Sequence, residues 1–216
     1  MRINEIETTV EAGMANASHA ASSNIRLYRG MKVVPFQEQF VRAVRQDRVL
    51  KNSSPHEGRL FDLYCQMLGF PHRKRNTLST ALTVTQAAWY GITVYQIFPY
   101  NNASYLFSTK HKDLLDLATE IDSVWSNAWH KGKFSQFDLP IWSHQHDREQ
   151  KAEIATAISD EMWAQMLTLI KEELAVKAPL STTNDINQVA HGKGEVLVYV
   201  DQYVAKFYDH LKHGTE

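Results

Sequence analysis

A single cysteine, Cys65, stands among 216 residues, which leaves no internal disulfide and no thiolate-rich zinc site. Charge of one sign is equally scarce. The 24 acidic and 23 basic residues leave a net charge of -1, too little for a bulk positive field that would hold nucleic acid, although a local basic patch is still allowed. No stretch approaches the roughly 18 consecutive apolar residues of a membrane span. Met1 to Asn24 has no apolar centre of the signal-peptide kind. A soluble, cytoplasmic protein with no membrane partner is the expectation. The pattern G-x-x-x-x-G-K-[ST] is missing, and with it a phosphate loop. G-x-S-x-G is missing, and with it a nucleophile elbow. His56-Glu57 lacks the second histidine of H-E-x-x-H.

Ten histidines are present, but they do not assemble into a metal set. In His144-x-His146-Asp147 the two histidines form one pair, and His210 with His213 forms another. Neither has a third ligand at a familiar spacing, so no metal is expected. Gly192-Lys193-Gly194 precedes a strand instead of opening a helix after one, the wrong context for a dinucleotide fingerprint. The five tryptophans are scattered and do not interleave with basic residues as a single-strand-binding platform would.

Hydrophobic residues make up 44% and charged residues 22%, the balance of a globular chain, and the length suits one domain over residues 1–216. Residues 1–24, rich in Ala, Ser, Asn and Thr, read as a frayed helix or a loose N-terminal arm. Ile25 to Tyr28 alternates like a strand. Phe36, Phe40, Val41 and Val44 fall at helical spacing, so a helix opened by Pro35 and running to about Arg48 is predicted. Leu60, Leu63, Tyr64, Met67 and Leu68 make a second helical stripe, stopped by Gly69 and Pro71 and holding Cys65 as a core thiol.

After the basic run His72-Arg73-Lys74-Arg75, Leu78 to Leu82 reads as a strand and Thr83 to Tyr90 as a short helix ending at Gly91. Ile92 to Phe98, rich in β-branched and aromatic residues, reads as a further strand. Residues 110–131 and 148–177 carry two long helical patterns. In the second, Ile154, Ile158, Met162, Met166 and Ile170 recur every four residues. A polar loop then leads to strand-like alternation over Glu195–Val200 and Gln202–Tyr208. Strands flanking a helical middle predict an α+β fold with a helical insertion over 110–177.

Three separated segments fit one chemistry. They are Arg26-Leu27-Tyr28-Arg29-Gly30; Leu78-Ser79-Thr80 with Ala87-Ala88-Trp89-Tyr90-Gly91; and Gly194-Glu195-Val196-Leu197. The set resembles mono-ADP-ribosyltransferases of the arginine–serine–glutamate class, phage-encoded and toxin members included. There an aromatic-Arg-Gly strand comes first, a Ser-Thr strand leading into a short helix second, and a catalytic glutamate before a strand last. The likeness covers most of residues 25–100 and 185–210. It implies a core of two small, mostly antiparallel sheets split by a cleft, with flanking helices. It also implies NAD as the substrate, and a macromolecular acceptor, protein or nucleic acid.

The chemistry of the residues agrees with the roles the resemblance implies. Cleaving the ribose–nicotinamide bond builds positive charge on the sugar, which the Glu195 carboxylate would stabilise while holding a ribose hydroxyl. Arg29 matches a pyrophosphate with its bidentate fork. Gly30, without a Cβ, lets its backbone approach the nicotinamide amide. Ser79 holds Arg29 or the ribose, Thr80 supports the strand, and Tyr90, or in second place Trp89, stacks on the nicotinamide ring. Catalysis would thus rest on Glu195, Arg29 and Ser79, and NAD binding on Arg29, Gly30, Ser79, Thr80 and Tyr90.

Two features depart from the family pattern. Where members commonly carry Glu or Gln facing the acceptor, two residues before the glutamate, this chain has Lys193. A lysine cannot accept a guanidinium proton, so an acceptor other than arginine, and an anionic one, is expected. The interval from Ser79 to Glu195 is 116 residues, which the helical insertion would have to fill. Leu180-Ser181-Thr182-Thr183 is a second Ser-Thr motif, but it lacks the alanine, aromatic and strand that follow Ser79. NAD hydrolysis alone, and a non-enzymatic helical interaction protein, are the competing functions.

Overall fold

The computed structural model describes residues 3–31, 36–44, 55–70, 76–137 and 148–209. Pro35, the run His72-Arg73-Lys74-Arg75, and His144, His146, Asp147, His210 and His213 lie outside the described residues. The chain opens with α1 (Ile3–Asn16) and α2 (Ser18–Ser22), followed by β1 (Leu27–Met31) and β2 (Gln39–Ala43). Next come α3 (Pro55–Met67), β3 (Leu78–Ala81), α4 (Val84–Tyr90), β4 (Thr93–Pro99) and β5 (Ser104–Ser108). The helical stretch holds α5 (Leu114–His130), α6 (Arg148–Ala157), α7 (Asp160–Leu169) and α8 (Lys171–Lys177). It is followed by β6 (Leu180–Thr183), a 3-10 helix (Ile186–His191), β7 (Glu195–Tyr199) and β8 (Gln202–Phe207). Among the described residues no helix is long and apolar enough to cross a membrane.

The strands form one eight-stranded antiparallel sheet in the order β2-β8-β4-β1-β3-β7-β5-β6. The fold is α+β, but the expectation of two separate small sheets is corrected: the halves are joined. The join is narrow. β1 pairs with β4 through five residues, from Leu27↔Ile97 to Met31↔Thr93, whereas β1 meets β3 only at Tyr28↔Ala81. Beside that pair the link is made by a side chain, the Arg29 guanidinium donating from Nη1 to the Ser79 carbonyl at 2.5 Å. We refer to this narrow junction as the seam.

Alternation along the strands feeds a core on each face of the sheet. Val196 and Val198 of β7, with Tyr105 and Phe107 of β5, face a core that also takes in Val10, Ala17 and Ala20 and the 3-10 residues Ile186 and Val189. Leu197 and Leu106, one step along the same strands, face the other core, built with α3, α5, α7 and α8. That second core is aromatic at its centre. Trp125 and Trp163 are fully buried with ring centroids 4.8 Å apart, and Phe134 lies 5.7 Å from Trp125. The residues expected as a helical insertion thus form, together with α3, a layer that shares its core with the sheet.

Several elements depart from the sequence reading. The N-terminal arm is α1 and α2, with α1 lying against β2 and β8. It is tied down by Asn101, whose N–H donates to the Asn16 carbonyl at 2.8 Å and whose Oδ1 accepts from the His19 amide at 3.0 Å. The helix expected from Pro35 is replaced, over its described part, by strand β2. Phe40 is buried and pairs with Ala205 of β8, so ladder pairing overrides a spacing that suited a helix. The long pattern at 148–177 is three helices, because Ser159 caps α7 by accepting from the Met162 amide at 3.2 Å and Ile170 leaves helical geometry at φ -117°. β5 is an additional strand, and the polar loop after Pro179 is the edge strand β6. Gly69 ends α3 region turns at φ +85°, the left-handed conformation that glycine adopts without strain.

Candidate functional site

Ala81 pairs with Tyr28 on one side and with Glu195 on the other, so β3 carries the registers of both halves of the sheet. That placement brings the three motif segments to the seam. Ser79 is half-buried on β3 and its hydroxyl donates to Glu195 Oε1 at 2.7 Å. Arg29, half-buried on β1, donates to the carbonyl of the same serine. Thr80 is buried and points its hydroxyl to the Val196 carbonyl at 2.9 Å, a second tie between β3 and β7. Ser181, the rival serine, stands opposite Phe107 on edge strand β6, four strands from β1.

Glu195 begins β7 and is only 5% exposed. A buried carboxylate must be supplied with donors. Its Oε1 has the Ser79 hydroxyl, and its Oε2 accepts from the Leu114 amide at 3.0 Å, at the first turn of α5. The positive end of a 17-residue helix therefore supports the negative charge. Its backbone N–H donates to the Lys112 carbonyl at 2.9 Å. Two donors occupy only part of the carboxylate's capacity, so each oxygen keeps a lone pair for a further hydroxyl.

The short helix α4 closes one side. Thr83, directly after β3, caps it by accepting from the Gln86 amide at 3.3 Å. Gly30 is buried beneath it, and a Cβ there would stand within 3.0 Å of the Ala87 carbonyl and of Gly91, both backbone. The close approach of α4 to β1 thus requires glycine at 30. Tyr90, at the end of α4, is 41% exposed, and its hydroxyl donates to Asp113 Oδ2 at 3.5 Å. Burial, and after it the charges of Glu195 and Asp113, push that phenol's ionisation well above its ordinary range, so it stays a protonated donor. Trp89 beside it is 73% exposed, and Ile92, just past Gly91, is 89% exposed. Lys193 is exposed, anchored by its amide to the Ser108 carbonyl at 3.0 Å.

The sequence reading singled out neither Gln86 nor the Lys112–Leu114 segment. Leu114 acts through its backbone amide, which no residue type announces. Asp113 just ahead of an apolar-periodic stretch was the one available signal of a helix start there. Among the described residues no group of three or more His, Cys, Asp or Glu is arranged to hold a metal ion. Comparison of this chain with family models, with curated proteins and with solved structures yields no match.

Proposed function

We propose that the chain transfers ADP-ribose from NAD to a macromolecular acceptor, protein or nucleic acid, releasing nicotinamide. The observation that carries this reading is the 2.7 Å hydrogen bond from Ser79 to a nearly buried Glu195, with Arg29 on the carbonyl of the same serine. These are the three residue types, in the order Arg, Ser, Glu, that an arginine–serine–glutamate transferase uses, gathered where two half-sheets barely touch.

In this reading the bond between ribose C1′ and the nicotinamide nitrogen breaks, and nicotinamide leaves with the electron pair as a neutral base. The sugar becomes oxocarbenium-like, and Glu195, held by Ser79 and Leu114, faces that charge without needing to reorganise. Its free lone pairs accept from a ribose hydroxyl. Arg29 binds the pyrophosphate with its planar guanidinium. Tyr90, exposed on one edge and fixed through its hydroxyl, offers a ring face to the nicotinamide. The acceptor's nucleophilic atom then bonds to C1′ and gives up its proton to solvent water. Lys193, exposed ahead of β7, would meet the acceptor and favours an anionic one over an arginine side chain.

The test is incubation of purified protein with NAD labelled in the adenylate, alone and with a fractionated cell lysate. Label on protein or nucleic acid is the expected result. Free ADP-ribose without labelled acceptor would replace the proposal by NAD hydrolysis, and intact NAD would overturn both.

A further inference from the structure

Gln86 has no part in the chemistry above, yet it is a buried polar side chain, 7% exposed, a few residues from the seam. We propose that Gln86 is a positioning residue for Glu195, acting through the Lys112 carbonyl. The inference deepens the NAD-cleavage reading and rests on it for its catalytic consequence.

Three observations converge. Gln86 Nε2 donates to the Lys112 carbonyl at 2.6 Å, and that same oxygen accepts the Glu195 backbone N–H at 2.9 Å. A carbonyl oxygen has two lone pairs, and here one is spent on the glutamate and the other on the glutamine. Two residues later, the Leu114 amide holds the Glu195 carboxylate at 3.0 Å. The segment 112–114 therefore grips Glu195 at its backbone and at its charge together. Finally, a Cβ at position 194 would stand 2.8 Å from both Nε2 and Oε1 of Gln86, so the glutamine amide packs directly on the residue that precedes Glu195.

Lys112 and Asp113 lie in neither helix nor strand, and a stretch of that kind is positioned by what ties it down. Gln86 supplies the short tie. Tyr90, one turn further along α4, supplies a longer one to Asp113 Oδ2 at 3.5 Å. A glutamine that only needed to satisfy its own buried amide had no reason to share the one carbonyl that Glu195 uses. The arrangement makes α4 the brace of the carboxylate: helix to segment 112–114, segment to glutamate.

The test uses the full-length chain with Gln86→Met, which keeps length and removes the donor. Residue-resolved amide hydrogen exchange is read first, because it does not depend on activity. The Leu114 and Glu195 amides should exchange on the order of tenfold faster, while amides in the β4–β8 ladder keep their rates. Unchanged exchange at 114 and 195, or acceleration spread evenly over the sheet, overturns the positioning role. Nicotinamide release from NAD is read second. The expected result is a kcat lowered on the order of ten- to hundredfold, with KM for NAD nearly unchanged. Loosened amides with wild-type kcat would overturn the catalytic consequence. Gln86→Asn, whose amide is one methylene too short, gives the same readouts should the methionine variant misfold. A wild-type chain that leaves NAD intact would overturn the functional reading instead, and the exchange result would still decide whether Gln86 braces Glu195.

Discussion

The helical layer and the seam are built on opposite plans. Around Trp125 and Trp163 the interior is largely apolar and aromatic, with Met166, Leu167, Ile170 and Leu174 buried beside them, and its stability comes from apolar area. At the seam the sheet is continuous through one residue pair. A small apolar cluster of Tyr28, Ala81 and Ala87 and the Arg29–Ser79 contact cross it, and on the β3 side single polar contacts continue from Ser79 to Glu195 and from Glu195 to Leu114. A network of that type adds little net stability per bond but fixes geometry, since each buried group left unpaired is costly. The difference teaches where to expect each kind of mutational effect. Packing changes should strike stability in the layer, and polar changes should strike chemistry at the seam.

The largest effect should come from breaking the layer. Trp163→Ala removes a fully buried indole from the aromatic centre and should cost about 3–5 kcal/mol of unfolding free energy, measured by denaturant titration. A variant with wild-type stability would abolish the contrast between the two regions. Glu195→Gln should act in the opposite sense. It keeps size and deletes the charge that faces the ribose, so nicotinamide release should fall by about 10²–10³ while the denaturation midpoint moves little. Marked unfolding in this variant would show that the seam carries stability after all.

Smaller changes sharpen the same division. Arg29→Lys exchanges a planar fork for a point charge. The loss of one charge-assisted hydrogen bond, about 1.5–3 kcal/mol, should appear chiefly as a KM for NAD raised roughly ten- to hundredfold. A rise in KM of less than about twofold would remove the arginine from NAD binding. The smallest effect is expected at Lys193→Glu, an exposed position, read as a change in which acceptors carry label when mapped by mass spectrometry. An unaltered acceptor profile would show that residue 193 does not select.

Much of this division was legible in the residues themselves, though unevenly. β3, α4 and β4 follow from Leu78 to Phe98 because a strand, a threonine cap, a glycine stop and a β-branched run succeed one another with little ambiguity. β2 did not, since Phe40, Val41 and Val44 satisfy a helical spacing and only pairing with β8 decides between the two. β6 is an edge strand whose four residues are all half-buried, so it lacks the alternation by which a strand is recognised. At the site, Arg29, Ser79 and Glu195 were visible as a motif, but the means of holding Glu195 was not. One holder is a backbone amide, and the other is a glutamine in the interior of a helix, a position where polar residues are ordinarily solvated.

The central claim is that Ser79 and Glu195 act as one unit on NAD beside the seam, and a double-mutant cycle on nicotinamide release tests it most directly. Wild type, Ser79→Ala, Glu195→Gln and the double variant are compared at saturating NAD, with folding of each checked independently. The account predicts that wild type releases nicotinamide, that each single variant is slower, and that the double variant is no slower than Glu195→Gln alone, because the serine acts through the carboxylate. Losses that multiply as independent effects would contradict it, as would a wild-type chain that leaves NAD intact.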